Sequence, residues 1–322
     1  MNEFYPLFRN GDLSTIAANF WPRNLDETRF PGQRELHRTE PEVQVLALRH
    51  EPVTPPRGEL IVLHGLEGSH ESGYMKSMAQ AALVRGFRVH RLNMRTCGGT
   101  EALAPTLYHA GLTSDLRSIL QSLSAAGRGP IFLVGYSLGG NVVLKLTGEL
   151  GSEARTLGVA GVVGISTPLD LMACCKRMQE PRNFIYSSKF IDRLKARYRR
   201  RAAVFPERFP LDGLDLVKSV LEFDDKFTAR AFGFGDAANY YATQSAQGFL
   251  SGIAVPTLLI HSADDPLIPA WVYERAAPER NPSIQLKLTR YGGHVGFLSS
   301  SGMRFWSEEC AADWVQQQIS GT

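Results

Sequence analysis

The 322-residue sequence predicts an α/β protein: a mostly parallel central sheet, helices on both of its faces, and a helical insertion. Three observations carry that expectation. Short apolar, β-branched runs alternate with stretches of helical period. One such run, Ile131-Phe132-Leu133-Val134, leads through Gly135-Tyr136-Ser137-Leu138-Gly139 directly into a helical stretch. Between residues 168 and 250 the alternation stops, leaving only helical patterns rich in Arg, Phe and Tyr.

Taken in order, residues 1–40 are aromatic and charged without a clear period. Phe20-Trp21-Pro22 and Phe30-Pro31-Gly32 read as an extended arm that anchors rings on the domain surface. Residues 43–48 alternate like a half-buried strand, and the proline-rich 52–58 is a turn. A short buried strand, 59–63, ends at His64-Gly65. A helix over 75–85 is closed by Gly86, and a strand follows at 87–92. Residues 112–123 space their apolar side chains helically, and 130–134 is the strand before the serine. Beyond it, 157–165 is β-branched with interspersed glycines, as in a central strand. The runs 256–261 and 284–288 complete the strands, and an amphipathic helix closes the chain at 305–319. The expected division is a core of 1–167 and 251–322, with an N-terminal arm of 1–40, and a helical cap of 168–250. Such a cap would lie over the strand C-terminal ends, where open α/β sheets place their ligands.

Composition narrows the class. With 43% hydrophobic and 21% charged residues, the chain can build a large core without disulfides or metal. Four cysteines show no C-x-x-C spacing, and adjacent Cys174-Cys175 read as small buried apolar residues, which points to a reducing, cytoplasmic setting. The N-terminus lacks the basic and apolar regions of a signal peptide, and no apolar run approaches the roughly 18 residues of a spanning helix. A net charge of +3 is too small to suggest nucleic acid. The exception is 193–201, with Arg193, Lys195, Arg197, Arg199, Arg200 and Arg201 in nine residues. Its first reading is a solvated helix face; its second is weak contact with a membrane surface or an anionic ligand.

The chemistry starts at Ser137. Strand, G-x-S-x-G and helix in succession form a nucleophile elbow, a strained turn that holds the hydroxyl out from the sheet. The flanking glycines leave room for strand and helix to approach. A serine needs a base, and the base a partner that holds its tautomer. His294 follows the last strand in Tyr291-Gly292-Gly293-His294, a glycine-rich loop able to swing an imidazole toward the serine. The acid follows the strand at 256–261. Asp265, before Pro266, is the first candidate; Asp264 is the alternative, or a brace for the loop. An oxyanion hole needs two backbone N–H donors. Leu138 follows the nucleophile, and Leu66 follows Gly65 in the loop after an early strand. His64 reads as a structural residue that holds this loop.

His64-Gly-Leu-Glu-Gly-Ser69, Asn93-Met-Arg-Thr-Cys-Gly-Gly99 and Gly135-Tyr-Ser-Leu-Gly-Gly-Asn141 together resemble the YheT-like branch of the α/β-hydrolases. Phe223-Asp-Asp225, Gly233-Phe234 and Ala237-Ala-Asn-Tyr-Tyr241 add to the likeness, which runs from about residue 10 to 318. The resemblance implies the α/β-hydrolase fold and a serine hydrolase acting on carboxylic esters, some eukaryotic relatives using acyl lipids or transferring acyl groups to alcohols. It carries the catalytic roles onto Ser137, Asp265 and His294. It implies no cofactor and no metal. Thr96 departs from the pattern, which has glycine there. The expected substrate is a short- or medium-chain ester or an acyl lipid. An alcohol O-acyltransferase with the same residues, or a non-catalytic ligand-binding protein on this fold, are the alternatives. Aromatic residues of the cap, among them Phe184, Phe190, Tyr240 and Tyr241, are candidates for an acyl pocket or for ordinary core.

Overall fold

A computed structural model describes residues 3–320 of the chain. Its strands are β1 (Gly32–Glu40), β2 (Val43–His50), β3 (Glu59–Leu63), β4 (Arg88–Leu92), β5 (Ile131–Tyr136), β6 (Val159–Ile165), β7 (Thr257–Ser262) and β8 (Ile284–Thr289). They form one sheet in the order β1-β2-β4-β3-β5-β6-β7-β8. β2 pairs antiparallel with both β1 and β4, and every other pairing is parallel. This is the α/β-hydrolase fold that the sequence predicts. Strands β3, β5 and β7 are buried along their whole length. Burial on both faces is why they read as continuous apolar runs rather than alternating ones.

The helices Gly73–Leu83 and Trp306–Ser320 pack together on one face, over a core that includes Met78, Phe132 and Trp314. On the other face lie Ser114–Ala125 and Leu138–Leu150, over Ile61, Leu133 and Val162. Between the end of β6 at Ile165 and the start of β7 at Thr257 every regular element is helical.

The N-terminal segment is not an extended arm. Gly11–Phe20 is a helix, capped by the Asn10 side chain accepting from the Leu13 N–H, and Gly32–Glu40 is the edge strand β1. Its hydrophobic pattern concealed the helix. Leu13, Ile16 and Phe20 face solvent, whereas Gly11, Ser14 and Ala18 are the buried positions. Small residues make that contact because the helix backbone sits directly against a loop: a β-carbon on Gly11 would come within 1.8 Å of the Asp264 carbonyl oxygen.

The basic run also divides. It lies in the helix Phe184–Val204, where Leu194, Arg197, Tyr198 and Arg201 are buried at the spacing of one helical stripe. Arg193, Arg199 and Arg200 are exposed, as a solvated face requires. Arg197 and Arg201 are not: they turn inward, and the solvated-face reading fails for both.

The inserted helices are tied to the sheet through residues of the quoted motifs. Asn141, fully buried, donates to the carbonyls of Ala110 and Gln244 at 2.9 Å each and accepts from the Ala246 N–H at 2.8 Å. The Tyr240 hydroxyl accepts from the Ala110 N–H at 2.7 Å. Asp225 accepts from the Ala237 N–H at 3.0 Å, at the start of the helix Ala237–Gln244. Replacing Asn141 by alanine leaves buried backbone groups unpaired, so Asn141→Ala should lower the free energy of unfolding by about 3 kcal/mol. Urea denaturation checks this, and a loss under about 1 kcal/mol would contradict the stitching role.

Candidate active site

Ser137 sits between β5 and the helix Leu138–Leu150 at φ 50° and ψ −120°, a conformation costly for a residue with a β-carbon. Two glycines make the turn possible. A β-carbon on Gly135 would lie 2.3 Å from the Gly139 carbonyl oxygen, and one on Gly139 would lie 2.4 Å from that of Leu63. The helix therefore closes on β5 at Gly135 and on the end of β3 at Gly139 without side chains between them.

His294 Nε2 stands 3.0 Å from Ser137 Oγ, and His294 Nδ1 stands 2.9 Å from Asp265 Oδ2. The two expected partners of Ser137 are thus brought together with it in one hydrogen-bonded line. Asp265 is fully buried, and its other oxygen, Oδ1, accepts from the N–H groups of Leu267 and Ile268 at 2.8 and 2.9 Å. That Asp-Pro turn aims Oδ2 at the imidazole. Burial would raise the Asp265 carboxyl, but His294, His261 and the Ile268 N–H outweigh it and hold it below its ordinary value. Asp264 takes the bracing place: its Oδ1 accepts from the Gly293 N–H at 2.9 Å.

The histidine loop does not swing freely. Three consecutive N–H groups are held by three different segments: Gly293 by Asp264, His294 by the Thr15 hydroxyl at 2.8 Å, and Val295 by the Ser166 hydroxyl at 3.1 Å. A β-carbon on Gly293 (φ 64°) would meet the Gly11 carbonyl oxygen at 2.4 Å. Thr15 and Gly11, on the N-terminal helix, are therefore part of the site's scaffold. Sequence reading missed them because the helix that carries them buries small residues. Asn10 three residues before Leu13, an N-cap signal, was the available clue.

The loop after β3 leaves one donor free. Gly65 N–H donates to the Tyr74 hydroxyl, Glu67 N–H to the Tyr108 hydroxyl and Gly68 N–H to the Gly65 carbonyl. Ser69 and His70 N–H groups are bonded to Ser72 and Asn93. Among the described residues the N–H of Leu66 has no partner, nor does that of Leu138 at the first turn of its helix. Gly65 lies against Ser137; a β-carbon there would be 3.1 Å from its Cβ. His64 fastens the loop: it accepts from the Met94 N–H at Nε2 (3.1 Å), so Nδ1 carries the proton donated to the Gly65 carbonyl (2.8 Å). Complete burial pushes its pKa down to about 4, which suits a neutral structural imidazole.

A cleft opens beside Ser137 and His294, with about 750 Å³ of empty space including its mouth. Its wall from the inserted segment includes Leu171, Met178, Phe190, Leu194, Val220 and Tyr241. Other cap aromatics serve as core: Phe223 and Phe227 pack on Tyr198, and Phe232 and Phe234 pack on His109. Phe184 is exposed. Arg197 reaches from the cap to the loop after β3, donating to Glu67 Oε1 at 2.7 Å and to the Thr96 hydroxyl at 3.2 Å. Thr96 has φ 66°, the left-handed conformation that explains glycine in the family pattern. Here a hydroxyl that engages Arg197 stands in glycine's place.

Among the described residues one group has metal-ligand chemistry: Glu35, His37 and His90, with ligand atoms within 4.8 Å of one another. It lies on β1 and β4, outside the cleft lining, and His90 Nε2 is bonded to Glu59 at 2.8 Å. No helix among the described residues is long and apolar enough to cross a membrane.

A family model for the alpha/beta hydrolase fold matches residues 59–301. The chain belongs to the α/β-hydrolase family, in its YheT-like branch, and is a hydrolase of the esterase group. The protein named "Putative esterase YheT" in Escherichia coli (strain K12) is 34% identical over 322 residues, 97% of this chain and 93% of that one. Phospholipase ABHD3 of Mus musculus is 28% identical, across 79% of this chain and 61% of its own. Monoacylglycerol lipase of Saccharomyces cerevisiae is 27% identical, across 77% and 57%. The chain thus spans nearly all of the bacterial relative and about three-fifths of these two eukaryotic ones. The Pyrococcus furiosus esterase Pf2001 shares the fold at TM-score 0.60 and 16% identity, over 93% of this chain and 98% of that one.

Acid should weaken this structure. Burial lowers His64, His109 and His261 from 6.5 to about 4, 3 and 4. Below about pH 6.5 the unfolded chain binds protons that the folded one refuses, so stability is full above that pH and lost as pH falls toward 4. Urea midpoints measured from pH 7.5 to 4.5 should decline steadily below 6.5, and a flat profile would contradict the neutral buried imidazoles.

Proposed function

We propose that this chain hydrolyses carboxylic esters, of short to medium acyl chains or of acyl lipids, through an acyl-enzyme on Ser137. The observation that supports the reading is the continuous line from Ser137 Oγ through His294 to Asp265, at 3.0 and 2.9 Å. With Asp265 ionised, His294 keeps its proton on Nδ1 and presents the Nε2 lone pair to the serine hydroxyl.

In the mechanism that follows, Ser137 Oγ attacks the acyl carbonyl as Nε2 takes its proton. Negative charge develops on the carbonyl oxygen, where the N–H groups of Leu66 and Leu138 would receive it, the latter aided by its helix N-terminus. The imidazolium, stabilised by Asp265, gives its proton to the departing alcohol. Water then enters, loses a proton to Nε2 and releases the acid, restoring Ser137. The segment 168–250 would serve as a cap that shapes the acyl pocket, with 1–167 and 251–322 as the catalytic core. A cytoplasmic setting fits the four buried free thiols of Cys97, Cys174, Cys175 and Cys310.

A fluorophosphonate probe should label the wild-type protein and fail to label Ser137→Ala; undiminished labelling of the variant would sink the assignment. Asp265→Asn should cut kcat by about 10³-fold or more, since the imidazole loses both its orientation and its counter-charge. Across p-nitrophenyl esters from acetyl to palmitoyl, turnover should be greatest for short and medium chains, and a flat, negligible response would contradict the substrate class.

A further inference from the structure

We propose that the cleft beside Ser137 selects esters whose acyl chain carries a hydroxyl group, held between Arg197 and Asp224; the proposal rests on the ester-hydrolase reading above. The two side chains line the same cleft from different parts of the inserted segment. They have opposite charges, and they form no ion pair with each other. Arg197 is engaged elsewhere, by Glu67 at 2.7 Å, with the Tyr108 ring 4.6 Å from its guanidinium. Those contacts use Nε and Nη1. Nη2 has no protein partner among the described residues, yet it is not sealed into the packing.

Asp224 is held just as firmly. The Tyr241 hydroxyl donates to its Oδ2 at 2.6 Å, and the Thr228 hydroxyl adds support. The segment Asp224–Thr228 is a π-helix, and both of its end residues line the cleft. Widened turns of this kind are frequent at functional sites. Asp224 is half-buried and lines the cleft. Burial raises its pKa to about 6, so the carboxylate form predominates near neutral pH.

A buried guanidinium and a half-buried carboxylate that line one cleft without pairing offer a substrate group one donor and one acceptor. A hydroxyl group uses both, accepting from Arg197 Nη2 and donating to Asp224. A carboxylate or phosphate on the substrate would meet the negative charge of Asp224, and an ammonium would meet Arg197. The rest of this wall is apolar, with Leu171, Met178, Phe190, Leu194 and Val220, and suits the methylenes of a chain. Phe223-Asp224-Asp225 and Tyr240-Tyr241, which bear no part of the proposed chemistry at Ser137, thereby acquire a substrate role as well as a structural one.

The test compares p-nitrophenyl esters in pairs, each chain length from four to ten carbons made plain and with a terminal hydroxyl. Wild-type kcat/KM should favour the hydroxylated member by about tenfold or more at one or more lengths, because the plain chain offers neither group a partner. In Asp224→Asn, which can turn a donor toward the cleft in place of an acceptor, that ratio should fall to within about threefold of unity. Equal use of both members by the wild type would overturn the hydroxyl subsite while leaving Ser137 hydrolysis standing. A preference that persists in Asp224→Asn would overturn the assignment to that residue. Hydrolysis of neither member would overturn the ester-hydrolase reading, and this one with it.

Discussion

Everything in the site depends on how closely β5 and the following helix approach at Ser137. A β-carbon on Gly135 would overlap the Gly139 carbonyl oxygen at 2.3 Å, and one on Gly139 would overlap that of Leu63, at the end of β3, at 2.4 Å, so neither position admits any other residue without displacing backbone. That contact forces Ser137 into φ 50°, and the forced turn lifts its hydroxyl away from the sheet toward His294. It also leaves the Leu138 N–H, at the start of its helix, beside Ser137 and unbonded. Gly65 completes the arrangement by letting the loop after β3 lie against Ser137 Cβ. The strain is held by the buried sheet on one side and the helix on the other, neither of which can relax without the other.

Around this turn, opposite electrostatic choices are made within one core. His64 is buried where a charge would be costly, bonded at both nitrogens, and kept neutral as a fastener. Asp265 is equally buried yet kept ionised, because two backbone donors and His294 face it. Buried polar groups are tolerated where their partners are complete. Arg197, Glu67, Thr96 and Tyr108 extend the same logic into the cap, linking the inserted helices to the residue next to Leu66. The shape of the cleft and the loop beside Ser137 are therefore mechanically connected.

Most strands were legible because the central ones are buried on both faces and show unbroken apolar runs. The serine, the histidine and the Leu66 loop were legible because glycines flank them and the chain order is restrictive. The N-terminal helix was not. Its large apolar residues point to solvent, so periodicity reported the wrong face. Arg197 and Arg201 were misread for a related reason: in a run of six basic residues, composition does not distinguish the two that fall on the buried stripe. The choice between Asp264 and Asp265 rested on one proline until the loop geometry separated them, Asp264 bracing Gly293 and Asp265 meeting the imidazole.

By itself, then, the sequence determined the class of fold, the strand–turn–helix that carries Ser137, and the order of the residues that follow it. These are local properties, written in short apolar runs and in the positions of glycine. Only the tertiary structure decided which carboxylate faces His294, that Thr15 and Gly11 buttress its loop, and that Arg197 and Asp224 share a cleft unpaired. Each of those depends on residues far apart in the chain meeting at one place, and no local pattern encodes such a meeting.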